Sequence, residues 1–178
     1  MTAGNIMEPI KRHLFQEDGS DGVYAVLDGA SIPDLRQVLH AHHPEHVCLF
    51  EGELEPDMEE VAPYLVGLEP DSPFTDWVIG EGWGKHWGIF AVSHDDLDAM
   101  SRHFRTFLVV YDTDGNPLRF RYYDPRVLRV YLPTCTPDEL AAVFGPVAKY
   151  LLEGEGPRTA LRFNLVSGAL QQQTLELS

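Results

Sequence analysis

Apolar residues in this chain come in short, bounded runs, and that pattern limits the possible folds more than any other feature. Val23–Leu27 (VYAVL), His46–Phe50, Tyr64–Leu68 and His86–Val92 (HWGIFAV) each have strand length and each ends near a turn signal. Helical spacing fills the gaps. Glu8–Gln16 is a short amphipathic segment, closed by the loop EDGSDG. Ser31 has N-cap chemistry and Pro33 sits near a first turn; with Leu35, Val38 and Leu39 at helical spacing, residues 32–42 are predicted to be a helix. Ser72 is expected to cap a second helix that buries Phe74, Trp77 and Val78. Ser93 is expected to cap a third, carrying Leu97, Met100 and Phe104.

Later in the chain, Phe107–Tyr111 and Leu118–Tyr123 flank Asp114-Gly115, the strongest hairpin signal present. Thr136, Pro137, Asp138 and Glu139 form a helix start, and Gly145-Pro146 a stop. From Arg158 the tail is strand-like, with a Gln171–Gln173 run inside it. Early alternation followed by a hairpin predicts an α/β fold (or α+β) with a mixed β-sheet flanked by helices. The expected organisation is an α/β domain over residues 1–147 and a short, strand-containing C-terminal extension over 148–178, packed on the same unit.

Composition narrows the function classes. At 44% hydrophobic and 11% aromatic, the 178 residues are rich enough for a real core. No run approaches the ~18 apolar residues of a membrane span. The opening MTAGNIMEPIKRHLF lacks an apolar h-region, so a cytoplasmic location is expected. Cys48 and Cys135 stand in no metal or redox spacing, which suits a reducing compartment. Twenty-eight acids against 13 bases give a net charge of −15, which disfavours nucleic-acid and membrane partners and favours a basic protein partner. The charge is uneven: Glu51, Glu53, Glu55, Asp57, Glu59 and Glu60 crowd one stretch, while Arg119, Arg121, Arg126 and Arg129 face only Asp124 in another. The arginines either pair with those acids or form a docking face.

Motifs for chemistry are incomplete. Gly80, Gly82, Gly84 and Lys85 resemble a phosphate loop, but Ile79 holds the first glycine position and His86 stands where Ser or Thr would meet Mg²⁺. Close backbone approach to Trp83 and Trp87 explains these glycines better. His40, His42, His43 and His46 are crowded, yet Pro44 breaks the one usable helical spacing. Asp112–Asn116 lacks the later glutamate of a calcium loop. No metal and no cofactor is expected. Lys85, His86, Asp124 and Arg126 remain as one polar constellation for acid–base chemistry, against which Asp124-Pro125-Arg126 also fits a capped turn with a nearby guanidinium.

Tyr24–Gly29 (YAVLDG), Leu68–Phe74 (LEPDSPF), Gly82–Gly88 (GWGKHWG), Phe120–Val127 (FRYYDPRV) and Leu132–Thr134 before Gly145-Pro146 occur in an order that resembles the Tap/TEC adaptor family of type VI secretion, catalogued as a domain of unknown function. The resemblance covers roughly residues 23–147. It implies a non-catalytic adaptor or chaperone, not itself secreted, that binds a cognate effector and helps it onto the VgrG/PAAR spike. It also implies an α/β lobe followed by a part that tunes partner choice, here only residues 148–178. Partner-binding candidates are Trp83, Lys85, His86, Trp87, Tyr123, Asp124, Arg126 and Arg129, aromatic anchors and cations suited to a reversible interface. Strand addition along the tail, residues 158–177, is a second route. Two other classes remain open: an immunity protein that blocks a toxin, and a small hydrolase using His86 and Asp124.

Overall fold

A computed structural model describes residues 4–16 and 21–178; the Glu17–Ser20 part of the expected loop lies outside the described residues. Nine strands are found among them: β1 (Gly22–Asp28), β2 (His46–Cys48), β3 (Pro63–Leu68), β4 (Gly88–Ser93), β5 (Val109–Tyr111), β6 (Pro117–Arg119), β7 (Val147–Glu153), β8 (Thr159–Val166) and β9 (Ala169–Glu176). All but β5 and β6 join one sheet in the order β2-β3-β1-β4-β7-β8-β9, and every pairing in it is antiparallel. β5 and β6 form a separate two-stranded ribbon.

The runs in β1 and β4 are continuous because both faces of these strands are covered; every residue of β4 is buried. On one face Val23, Ala25, Leu27, Val66, Phe90, Val92 and Leu151 pack under helices α1 (Gly4–Phe15), α2 (Leu35–His42) and α4 (Pro73–Gly82). On the other, Val26, Leu65, Ile89, Ala91, Tyr150 and Leu152 pack under α5 (Leu97–Arg105), α6 (Pro125–Tyr131) and α7 (Pro137–Phe144). A short helix, α3 (Pro56–Val61), sits within the acidic stretch with no buried residue. The molecule is thus a three-layer α/β structure with helices flanking the sheet, as the sequence predicts, and the seven-stranded sheet is antiparallel throughout. β7, β8 and β9 continue that sheet beyond β4 without a break.

Several local signals act as expected. Ser72 caps α4 by accepting from the Phe74 N–H. Thr136 and Glu139 complete a reciprocal capping box on α7. Asp114-Gly115 turns the β5–β6 ribbon, although its paired strands are shorter than the flanking apolar runs.

Two expected caps differ. α2 begins at Leu35, after Asp34 in a left-handed conformation (φ 59°), because the Ser31 hydroxyl donates to Asp28 instead. Ser93 ends β4, its hydroxyl donating to Pro146 O; Asp96 caps α5 by accepting from the Ala99 N–H. In both places a buried polar demand outcompetes the local helix signal.

Close packing fixes two glycines. A Cβ at Gly82 would lie 2.7 Å from the Trp87 ring, and one at Gly88 would lie 2.2 Å from Val26 O, where β4 presses on β1. The approach expected of the glycine-tryptophan segment is therefore real at Gly82.

Between α5 and α7, the His103 Nε2–H donates to Val143 O at 2.9 Å while the ring packs against Phe104 and Phe107. Burial pushes this imidazole below its ordinary pKa of 6.5, against a smaller upward pull from the carbonyl. The folded chain therefore binds fewer protons at this position than the unfolded chain does, and stability is lost as pH falls below 6.5 towards the depressed folded value. Thermal unfolding of the wild type and His103→Gln between pH 7.5 and 5 checks this: the wild type should lose more stability than the variant on acidification.

Candidate functional site

The ends of three adjacent strands meet at one end of the sheet: Asp28 at the finish of β1, Gly88 at the start of β4, and Glu153 at the finish of β7. Asp28 and Glu153 each place a carboxyl group in a buried setting there, and each takes at least one donor from a distant segment.

Glu153 is 6% exposed. Its Oε1 accepts from the Gly84 N–H at 2.9 Å and the His86 N–H at 3.2 Å, and its Oε2 from His86 Nδ1 at 2.8 Å. The Trp83–Trp87 loop is thus curled around one carboxylate. Trp77, Trp83 and Trp87 frame the loop on its apolar side: Trp77 and Trp87 lie 4.8 Å apart, and Trp83 stacks on Phe90. Burial pushes the Glu153 carboxyl above its ordinary 4.5, outweighing the downward pull of the Gly84 N–H and of His86.

Asp28, 1% exposed, accepts from the Ala30 N–H and the Ser31 hydroxyl, and forms an ion pair with Arg121. Asp124 caps α6, accepting from the Arg126 N–H at 2.9 Å, while the Arg126 guanidinium closes on it in a fork through Nε at 3.1 Å and Nη2 at 2.8 Å. Burial raises the Asp124 carboxyl, but the Arg126 side chain and N–H, with the Arg121 charge, outweigh it and hold the group below its usual range. Arg129 Nη1 donates to Gly154 O at 3.1 Å and so ties α6 to the end of β7. Tyr122 and Tyr123 are both buried; the Tyr122 hydroxyl donates to Phe104 O.

The candidate residues therefore divide. Trp87, Tyr123 and Asp124 are buried, and Trp83, His86 and Arg129 are half-buried. Lys85 is exposed, 5.6 Å from the Trp87 ring and ion-paired with Glu81, and Arg126 is exposed beyond its pair with Asp124. His86 is bonded to Glu153, while Asp124 is bonded to Arg126. The arginine-rich segment pairs internally, with Asp28 and Asp124 and not with the acidic stretch; Arg119 covers the Phe50 ring at 4.1 Å. Arg36 takes Glu59 and Glu60. Asp124-Pro125-Arg126 is the capped turn with a nearby guanidinium that the sequence allows, and it also opens a helix. Among the described residues, no group of three or more His, Cys, Asp or Glu side chains is arranged to hold a metal ion. No helix of the described residues is long and apolar enough to cross a membrane.

Sequence reasoning missed Asp28 and Glu153. Both close an apolar strand run, VYAVLD and VAKYLLE, and an acid in that position was the available signal.

These features define a three-layer α/β protein whose antiparallel sheet is tied at one end through the buried carboxyl groups of Asp28 and Glu153. The chain belongs to the family described as Domain of unknown function (DUF4123), whose model matches residues 23–142. Comparison with curated proteins and with solved structures gave no match.

Glu153→Ala should leave the Gly84 and His86 N–H groups without their acceptor and cost about 1–3 kcal/mol, the range for leaving hydrogen-bonding groups unsatisfied. Glu153→Gln should cost less, because an amide oxygen still accepts from both N–H groups. Relative to Glu153→Gln, the wild type should lose stability as pH rises from 4.5 through the raised folded value, since its folded state holds the proton longer. Urea unfolding across that pH range reads both effects.

Proposed function

We propose that this chain is a non-catalytic cytoplasmic adaptor-chaperone that binds a cognate type VI secretion effector and promotes its loading onto the VgrG/PAAR spike. The family match over residues 23–142 carries the reading, because the segments that resemble type VI adaptors lie within it, apart from the closing Gly145-Pro146. The use made of those segments supports a scaffold. Asp28, the Gly82–Gly88 loop and the Tyr122–Arg126 turn spend their polar groups on strand ends, loops and helix caps.

The surface supplies a contact fitting such a role. All six residues of the β5–β6 ribbon are exposed, among them Val109, Val110, Leu118 and Tyr111, the last 71% exposed. At its tip Asp112 accepts from the Asn116 N–H and side-chain amide and from the Asp114 N–H, which hold its carboxyl below the usual range and close the turn. An exposed apolar ribbon on an acidic protein suits a partner with apolar surface bordered by basic residues. Binding such a surface keeps an unloaded effector soluble by mass action.

Co-expression of this chain with its neighbouring effector and spike genes, followed by affinity capture, tests the proposal. Recovery of an effector or spike protein, and loss of toxin delivery on deletion, is expected; a folded chain that captures neither would sink it. Tyr111→Ser with Leu118→Ser should reduce capture by about tenfold or more, the scale of losing exposed anchor residues at an interface. The melting temperature should barely move, since both side chains are solvent-facing in the free chain.

A further inference from the structure

The sheet has two edges, and they are unequal. β2 is three residues long, whereas β9 runs for eight with no strand on its outer side among the described residues. A long edge with open backbone groups is a template for another chain, and is ordinarily blunted by lysine, proline or a bulge. β9 reads ALQQQTLE, with Glu176 its one charged residue, and six of its eight residues are exposed. Its register with β8 runs unbroken from Thr159↔Glu176 to Val166↔Ala169.

The phase of the outer edge follows from the hairpin. Ser167 (φ 51°) and Gly168 (φ 79°) make a two-residue turn with both central residues left-handed, so Val166 and Ala169 close it as a hydrogen-bonded pair. At the other end the Leu177 N–H donates to Arg158 O at 2.8 Å, which gives the same phase. Antiparallel ladders alternate. Ala169, Gln171, Gln173 and Leu175 therefore turn their backbone groups to β8. Leu170, Gln172, Thr174 and Glu176 turn theirs outward.

That phase is self-complementary. With two copies of β9 laid antiparallel about a twofold axis at Gln173, Leu170 faces the partner's Glu176 and Gln172 faces the partner's Thr174. Every outward residue of both strands then falls in a hydrogen-bonded pair. One surface serves both sides, as a twofold interface requires.

Charge permits the same contact. From Thr159 to Glu176 the hairpin carries Arg162 and Glu176 and no other Asp, Glu, Lys or Arg, so it is neutral in a chain of net charge −15. Two chains so acidic repel one another, and they come together most easily where neither brings excess acid. In the twofold pairing Glu176 lies opposite a leucine, and the two Glu176 residues stand about 20 Å apart along the strands. Screening at physiological salt acts over about 8 Å, so they do not oppose the contact.

The residue on the axis must face itself. Gln173 would meet its own copy in a non-hydrogen-bonded pair, with about 4.5 Å between Cα atoms. A primary amide donates and accepts at once, so identical side chains suit one another there. A lysine or glutamate would oppose its own charge. An uncharged edge gives a foreign strand little to select on, whereas a second copy brings the matching phase and the same neutral face.

We propose that two copies of this chain pair through β9 into a symmetric dimer with one sheet continuous across both. The dimer does not depend on the adaptor reading; what it adds is a second β5–β6 ribbon on each particle.

Sedimentation of the full chain from about 1 to about 500 µM tests this, the range suited to a reversible contact one strand wide. The average mass should climb from 20.0 kDa towards twice that value. Thr174→Pro removes an outward N–H, twice per dimer by symmetry, and leaves the β8 ladder intact. It should weaken association about tenfold or more with unchanged circular dichroism. Gln173→Glu and Gln173→Lys, both at an exposed position, should each weaken it about threefold or more by placing like charges on the axis. Mixed in equal amounts, those two variants should associate more tightly than either alone, which a merely structural effect would not produce. A wild-type chain that stays monomeric throughout overturns the proposal. A dimer that a folded Thr174→Pro retains lies elsewhere on the molecule and overturns it too. So does a mixture of the Gln173 variants that associates no better than its components.

Discussion

A carboxylate withdrawn from water must find donors nearby, and Glu153 finds three within residues 84–86. That requirement joins the end of β7 to the loop that launches β4, two strands neighbouring in the sheet but far apart in the chain. Asp28 does the same for the end of β1 and Arg121, and Asp124 for the start of α6 and its own Arg126. Each pair lies on the margin of an apolar layer, where a missing partner is more costly than at the surface. The strands, the tryptophan loop and α6 therefore hold their positions together. The geometry of the other face, with Tyr122 stacked on Phe104 and bonded to its carbonyl, follows from where α6 is anchored.

Much of the fold was legible because two-sided burial leaves a plain mark. VYAVL in β1 and GIFAV in β4 have no polar side to alternate with, so the runs are continuous and the layers implied. β7 was harder: Lys149 interrupts VAKYLLE, and nothing local says that a lysine in such a run is 5% exposed. α6 was hidden for another reason. Asp124-Pro125-Arg126 is equally good as a turn or a helix start, and the choice depends on Leu128 and Leu132 finding the core. The site was only half legible. His86 stood out by its setting among glycines and tryptophans, but its partner lies 67 residues away with no motif around it, and only the sheet order brings them together.

Charge is sorted in space to a degree that its total conceals. The acidic stretch 51–60 is spread over a loop and the exposed α3, where Arg36 takes Glu59 and Glu60 and Arg105 takes Glu51. The arginines of residues 119–129 are drawn into internal pairs and packing. What faces solvent is then an acidic surface interrupted by the apolar β5–β6 ribbon.

The strand order also has a consequence for the chain as it is made. β4 has β1 on one side as soon as its own residues exist, but its other neighbour, β7, is separated from it by residues 94–146. Until the ribosome has delivered Val147–Glu153, a strand that is buried throughout has an open side in the middle of the sheet, and Glu153 has not been synthesised. Hairpins β7–β8 and β8–β9 are local and quick to close, whereas the β4–β7 seam waits for a long loop. A newly emerging chain of this kind is most exposed to misassociation just before residues 147–178 appear, and slowing translation at that point lowers its yield of soluble protein.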